Sequence, residues 1–261
     1  MPPDSAAIKE TVFADSNQYF AALMQDIDQA VSFIDLETYI FDLDQLGKEV
    51  ARHLAAASRR GVVVRLLVDG VGSVASGSAL ARQLNVDGVK VRIFNPLPWN
   101  IHHWAWAVPH LPWLARLQHL LDGMYRRNHR KTCIIDRRII WIGSFNISQS
   151  HLPKEKGGQN WRDTAVRLEG LDAENLQNAF NSTWENDRSL IPSRMFSPTT
   201  IRLNHRHRRK LRLDLLRRMA RTSSRIWITN AYFVPSNSLL RYLKKAARRG
   251  VDVRILLPGT S

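Results

Sequence analysis

The sequence predicts an α/β protein, a mixed β-sheet flanked by helices, present as one complete repeat plus the start of a second. Three observations predict it. Residues 31–70 read as strand, helix, strand; the same order returns at residues 225–259; and between them residues 129–146 hold two β-rich runs joined by the tight turn "DRR".

Taken in order, Phe20, Leu23, Met24 and Ile27 recur at helical spacing and predict a helix ahead of the strand "VSFIDLETYIF" (31–41). Leu46, Val50 and Leu54 form the apolar stripe of the next helix. Arg59 and Arg60 suit the negative end of its dipole, and Gly61 can cap it before "VVVRLLVDG". A strand, helix, strand unit of this kind implies parallel strands. Further on, "HRKTCIIDRRIIWIGSFN" (129–146) predicts a hairpin, "WRDTAVRLEG" a strand and "DAENLQNAFNSTWEND" a helix. The second copy starts with "RIWITNAYFVP" (225–235), "LLRYLKKAARRG" and "VDVRILLPG" (251–259). Setting "SRRGVVVRLLVDG" against "ARRGVDVRILLPG" aligns Gly61 with Gly250, and Leu23 falls opposite Leu216. The expected division is a first domain over residues 1–193, and over 194–261 a basic linker helix with a partial second repeat.

Of the 261 residues, 38 are Lys or Arg and 23 are Asp or Glu, a formal charge of +15 that predicts attraction to polyanions such as phospholipid head groups or nucleic acid. Residues 202–225 concentrate that charge, with ten basic residues against Asp214; such a run is either a solvated helix face or a surface for anionic lipid or nucleic acid. The one cysteine, Cys133, excludes an internal disulfide, lies in an apolar run that predicts a core role, and fits a reducing compartment. "MPPDSAAIKETVFADS" lacks the basic start and apolar stretch of a secretory signal, so a cytoplasmic location is expected. The apolar segment 99–121 is interrupted by Pro109, Pro112 and Arg116 and contains several histidines, which argues against a bilayer-spanning helix. Its tryptophans, Trp99, Trp104, Trp106 and Trp113, suit the membrane interface, where an apolar ring and a polar N–H are both accommodated; a core-packing insertion is the alternative.

Residues 129–146 carry the chemistry. On an extended strand His129 and Lys131 project to one side. Asp136 opens the turn, and the returning strand brings Ser144 and Asn146, again two apart, so an imidazole, an ammonium, a hydroxyl and an amide can converge. Such a set suits a phosphate. Lys131, Ser144 and Asn146 would donate to its oxygens in a pentacoordinate transition state, and a neutral His129 could attack phosphorus to form a covalent intermediate. Gly143 would let the backbone approach the substrate. Glu37, on the first strand, is either a pocket carboxylate or a surface charge at a strand end.

The spacing His-x-Lys, four residues, Asp, six residues, Gly-Ser-x-Asn resembles the motif of the phospholipase D superfamily. The resemblance is nearest to bacterial cardiolipin synthases and extends over "LETYIF" (36–41), "RRGVVVRLLVDG" (59–70), "FNPLPW" (94–99), "RNHRK" (127–131), "GSFN" (143–146), "WRDTAVRLEG" (161–170) and "NAYFVP" (230–235). It implies a phospholipase D-like fold and catalysis by His129, Lys131 and Asp136, although the parity and turn position of Asp136 suggest that it shapes the hairpin rather than touching phosphorus. His129 would attack one phosphatidylglycerol, glycerol would leave, and a second phosphatidylglycerol would displace the phosphohistidine to give cardiolipin, with no metal or cofactor. Asp163 matches an acidic position that holds the nucleophile and would fix the His129 tautomer; a salt bridge with Arg162 or Arg167 is its plain alternative. Anionic phospholipid is the implied partner, on the inner face of a bacterial cell membrane as a peripheral protein, and nucleic acid is the less favoured one.

The family pattern contains the motif twice, with the second histidine protonating the leaving alcohol, and this chain contains it once. His205 and His207 do not replace it, because "NHRHRRK" has no Lys at the right spacing and no following Gly-Ser-x-Asn. The expectation is a truncated or fragmentary enzyme, impaired alone, that needs either a missing second half or a homodimer; a nuclease-like phosphodiesterase and an inactive membrane-binding remnant are the alternatives.

Overall fold

The computed structural model describes residues 8–97, 99–108, 127–185, 204–231 and 233–257. Contacts divide the chain into Met1–Met195 and Phe196–Ser261. In the first unit the strands are β1 (Lys9–Phe13), β2 (Phe33–Thr38), β3 (Val63–Asp69), β4 (Lys90–Phe94), β5 (Ala107–Val108), β6 (Thr132–Ile135), β7 (Ile139–Gly143) and β8 (Ala165–Glu169). The helices are α1 (Ser16–Gln29), α2 (Gln45–Arg59), α3 (Gly77–Val86) and α4 (Glu174–Trp184). Among the described residues the strands make one mixed sheet in the order β1-β8-β7-β6-β2-β3-β4-β5. Strands β2 through β5 run parallel, and β6, β7, β8 and β1 pair antiparallel in turn.

Alternation along the strands explains the layering. Ile34, Leu36, Val64, Leu66, Val68, Ile93, Cys133, Ile135 and Trp141 all turn to one face, where they meet Phe20, Leu23 and Ile27 of α1, Val50 and Leu54 of α2, and Leu80 and Leu84 of α3. Burying each such side chain contributes roughly 1.5–3 kcal/mol. Asp15 and Asp44 start α1 and α2 by accepting from Gln18 N and Gly47 N, both at 2.9 Å. The opposite face is mixed where α4 covers it: Leu67 packs with Phe180 and Trp184, and charged side chains lie beside them. Arg65 of β3 grips Asp35 of β2 through two 2.6 Å bonds, and its guanidinium lies over the Phe180 and Trp184 rings of α4. An isolated buried charge would be costly; here each has its partner.

The second unit contains α5 (Asn204–Arg221), β9 (Arg225–Thr229), α6 (Asn237–Arg248) and β10 (Asp252–Leu256), with β9 and β10 parallel. Met219, Ile226, Leu243, Ala246 and Val251 form its small core. It repeats the unit β2-α2-β3, down to the helix ends: Gly61 and Gly250 follow their helices with φ of 94° and 88°, a conformation that favours glycine. Leu23 and Leu216, which the two copies align, are both buried.

Candidate functional site

The carboxyl ends of parallel β2 and β3 lie beside the start of β6, which runs antiparallel to β2 and places Thr132 opposite Glu37. Gly143 of β7 and Ala165 of β8 complete that end of the sheet. A Cβ added at Gly143 would stand 2.5 Å from the Ala165 Cβ and 2.8 Å from its Cα, so the glycine is required by the neighbouring strand rather than by substrate approach.

The nucleophile candidate lies just outside the sheet. The regular strand begins at Thr132, and residues 127–131 are irregular, yet His129 and Lys131 still meet: Lys131 Nζ is 3.1 Å from His129 Nδ1 and 3.0 Å from the His129 carbonyl oxygen. An ammonium has only donors, so Nδ1 accepts and holds a lone pair. The His129 ring is exposed and stands 4.7 Å from the Tyr39 ring, centroid to centroid. Burial and the Lys131 charge hold its pKa below the ordinary histidine value against the opposing field of Asp69, which favours the neutral ring. Lys131 is buried, and burial pulls it down to about 8, with Asp163 and Asp69 opposing. It is therefore roughly nine-tenths charged at pH 7.

Two carboxylates that are fully buried shape this loop. Glu37 accepts from Thr132 Oγ1 at 2.8 Å and Asn128 Nδ2 at 3.0 Å and pairs with Arg130 at 3.0 Å, which makes it an internal support rather than a surface charge. Asp69, at the end of β3, accepts from Asn128 N at 2.9 Å and Val71 N at 2.8 Å and pairs with Arg127 at 3.3 Å. The sequence reading passed over Asp69; its signal was an acid closing the apolar run "VVVRLLVDG".

Ser144 and Asn146 reach the same end of the sheet. The Ser144 hydroxyl accepts from Thr164 N at 3.2 Å and donates to Thr164 O at 3.3 Å. The Asn146 Oδ1 accepts from Ile40 N at 3.2 Å, while Ile147 bridges to Phe41 and secures the segment that follows β2. Asp163 has a different partner from the expected one. Its carboxylate lies 3.0 Å from Nδ1 of His151, a residue the sequence reading missed, whereas the Nδ1 of His129 faces the Lys131 ammonium. Burial would raise the Asp163 pKa, but His151, Ser144 and the Lys131 charge hold it below the ordinary carboxylate value.

Asp136, grouped with the catalytic residues by its motif, does not join the cluster. It sits at the other end of β6, five residues from Lys131 and so roughly 16 Å away at 3.3 Å per residue. There its carboxylate accepts from Val31 N (2.9 Å), Ser32 N (2.8 Å), Ser32 Oγ (2.6 Å) and Phe33 N (2.9 Å). The turn it opens places Asp136 and Arg137 at φ of 52° and 56°, the left-handed pair of a tight hairpin. Of the tryptophans expected at a membrane, Trp99 is 70% exposed, Trp104 is half-buried, Trp106 packs against the hydrophobic core, and Trp113 lies outside the described residues. Among the described residues no helix is long and apolar enough to cross a membrane.

The family described as "Cardiolipin synthase, PLD-like domain" matches residues 23–184 and 215–261, which takes in the site and both repeats. Cardiolipin synthase B of Shigella flexneri is 31% identical over 265 residues, covering 96% of this chain and 60% of its own length. Cardiolipin synthase of Clostridium perfringens strain SM101 is 28% identical over 266 residues, covering 95% of this chain and 52% of the relative. The chain thus spans little more than half the length of these relatives. In fold it is similar to the phosphatidylserine synthase of Haemophilus influenzae, with a TM-score of 0.64 at 11% identity over 95% of this chain and 61% of that one. With most of its length matched in two stretches that fall on its two repeats, the chain belongs to the cardiolipin synthase, PLD-like domain family of the phospholipase D superfamily.

Proposed function

We propose that this chain provides one half of a phosphatidyltransferase of the cardiolipin synthase type, in which two phosphatidylglycerol molecules give cardiolipin and glycerol through a phosphohistidine. The observation that carries the reading is the exposed His129 ring held 3.1 Å from the Lys131 Nζ, just before β6. A phosphodiester entering there draws the ammonium from the ring to a non-bridging oxygen, and the lone pair it had engaged becomes available for attack on phosphorus. Lys131, with Ser144 and the Asn146 amide, then offsets the charge that builds on the equatorial oxygens. The P–N bond forms as the P–O bond to glycerol breaks, and a proton must reach the glycerolate. General acid help of this sort is worth about 10²–10⁴ in rate. It comes from a second copy of the motif, on another chain or in residues outside this sequence.

The reading includes a peripheral position on the anionic inner face of the cell membrane. Residues 212–257 contain eleven Lys or Arg against Asp214 and Asp252, both of which already pair with arginines, Arg218 and Arg254. Exposed Leu213 and Leu215 lie among those charges on α5, a mixture that suits a lipid surface better than a nucleic-acid backbone.

The test is a single-turnover experiment: the chain is mixed with vesicles of phosphatidylglycerol labelled at phosphorus, without metal, and quenched in base. The expected result is acid-labile label on His129, no more than one per chain, absent in His129→Ala and weaker as salt rises. Label equal in His129→Ala and the unchanged chain, or cleavage of plasmid DNA without lipid labelling, would overturn the proposal.

A further inference from the structure

His151 lies in a short 3₁₀ turn, Gln149–His151, begun by Ser148, whose hydroxyl accepts from Ser150 N. It is 2% exposed, and its ring is held edge to face between Phe145 (centroids 5.3 Å) and Trp161 (5.7 Å). The backbone N–H of Asn146 donates to its Nε2 at 3.1 Å, so that nitrogen must hold a lone pair. A neutral ring with Nε2 unprotonated carries its proton on Nδ1, and Nδ1 is the atom 3.0 Å from Asp163 Oδ2. That close contact is one of the interactions that hold the buried side of the Asp163 carboxylate in its charged form.

We propose that His151 is a positioning residue: its Nε2 holds the backbone of Asn146, its Nδ1–H holds the Asp163 carboxylate beside Lys131, and one buried ring thereby sets two separate parts of the phosphate site. The groups around Lys131 that share its field are His129 from the same segment, Tyr39 after β2, Asp69 at the end of β3, and Asp163 before β8. Of these, Asp163 is the one that His151 controls. With the ring nitrogens gone, the carboxylate is released to solvent and the buried ammonium loses part of its stabilisation, while the Asn146 N–H loses its acceptor. Glutamine can restore both functions, since its Oε1 accepts and its Nε2–H donates. Phenylalanine fills the same space and restores neither.

The residue assignment builds on the site proposed above, but its test reads the protein itself and is independent of whether lipid is turned over. Imidazole ¹⁵N spectra of the full chain should show His151 with Nδ1 protonated and Nε2 not. Lysine Nζ titration should place Lys131 about one pKa unit lower in His151→Phe than in the unchanged chain, as loss of a nearby opposite charge requires. Asp163→Asn should lower it similarly, the double variant should add little, and His151→Gln should return Lys131 to its original value. The proposal is overturned by an Nε2–H tautomer at His151, or by Lys131 titrating unchanged in folded His151→Phe. If His151→Phe fails to fold, the tautomer and the comparison of His151→Gln with Asp163→Asn decide, and a lowered Lys131 in His151→Gln counts against it.

Discussion

Asp136 provides the sharpest separation of fold from chemistry, because the motif puts it beside the nucleophile in sequence and the structure puts it at the opposite end of the strand. Asp136→Ala removes the acceptor for four donors within 2.9 Å, three backbone N–H groups and the Ser32 hydroxyl. Hydrogen bonds to a charged group are worth about 1.5–3 kcal/mol each, but Val31 is 82% exposed and water can reach part of this loop. Rehydration of the freed donors leaves a net cost of about 2–3 kcal/mol. Urea unfolding followed by circular dichroism should show the midpoint falling by about 1 M, for a slope of about 2–3 kcal/mol/M. The pH dependence has a definite sign. Burial would raise the Asp136 pKa, but the hydrogen bonds from Ser32, Val31 and Phe33 hold it below the ordinary carboxylate value. A depressed folded pKa stabilises above the unfolded value of about 3.9 and ceases to do so as pH falls through the folded one. The stability gap between the unchanged chain and Asp136→Ala should therefore hold from pH 5 to 8 and shrink below about pH 4. Unchanged stability together with a lost phosphohistidine would refute the reasoning, since Asp136 would then have to act at the site.

Gly143→Ala should destabilise by about 1–3 kcal/mol, because the new methyl meets strand β8 rather than open space; chemical unfolding measures it. The rate of phosphohistidine formation should rise with pH as His129 loses its proton, below the ordinary histidine value, and fall as Lys131 loses its own near pH 8; in Lys131→Met the alkaline fall should vanish and the rate drop about 10²–10³-fold. A profile flat between pH 7 and 9 in the unchanged chain would remove Lys131 from the charged role given to it.

The sheet was legible wherever one face is apolar and the chain turns on glycine. Strands β2 and β3 and the helix between them follow from Leu46, Val50, Leu54 and Gly61, and the second copy follows from its alignment on Gly250. Strand β1 was not, because Lys9–Phe13 is an edge strand largely open to solvent, with too little apolar alternation to register. Strand β4 escaped as well; "KVRIF" is short, and Arg92 is drawn off to the end of α4 by the Trp184 carbonyl. At the site, parity correctly put His129 and Lys131 together even though both precede the regular strand. The partner of Asp163 was invisible, since spacing places residues along a chain and cannot say which of two histidines a carboxylate meets across a loop.

That loop explains why a one-dimensional motif produces a three-dimensional nucleophile. Of residues 127–131, Arg127 and the Asn128 N–H are tied to Asp69, the Asn128 side chain and Arg130 to Glu37, and Lys131 to its own neighbour. Glu37 and Asp69 are fully buried, so losing the Arg130 or Arg127 counter-charge would leave a carboxylate without its ion pair in the interior, a penalty of about 3–5 kcal/mol. The loop is therefore held by charges it cannot release. With the side chains on either side committed inward, the ring between them faces solvent, and the conformational cost of presenting His129 to a phosphodiester has been met during folding rather than at the moment of binding. On this account Glu37→Gln should impair phosphohistidine formation although Glu37 touches neither the ring nor the substrate, because Arg130 would lose its counter-charge and the segment its single conformation.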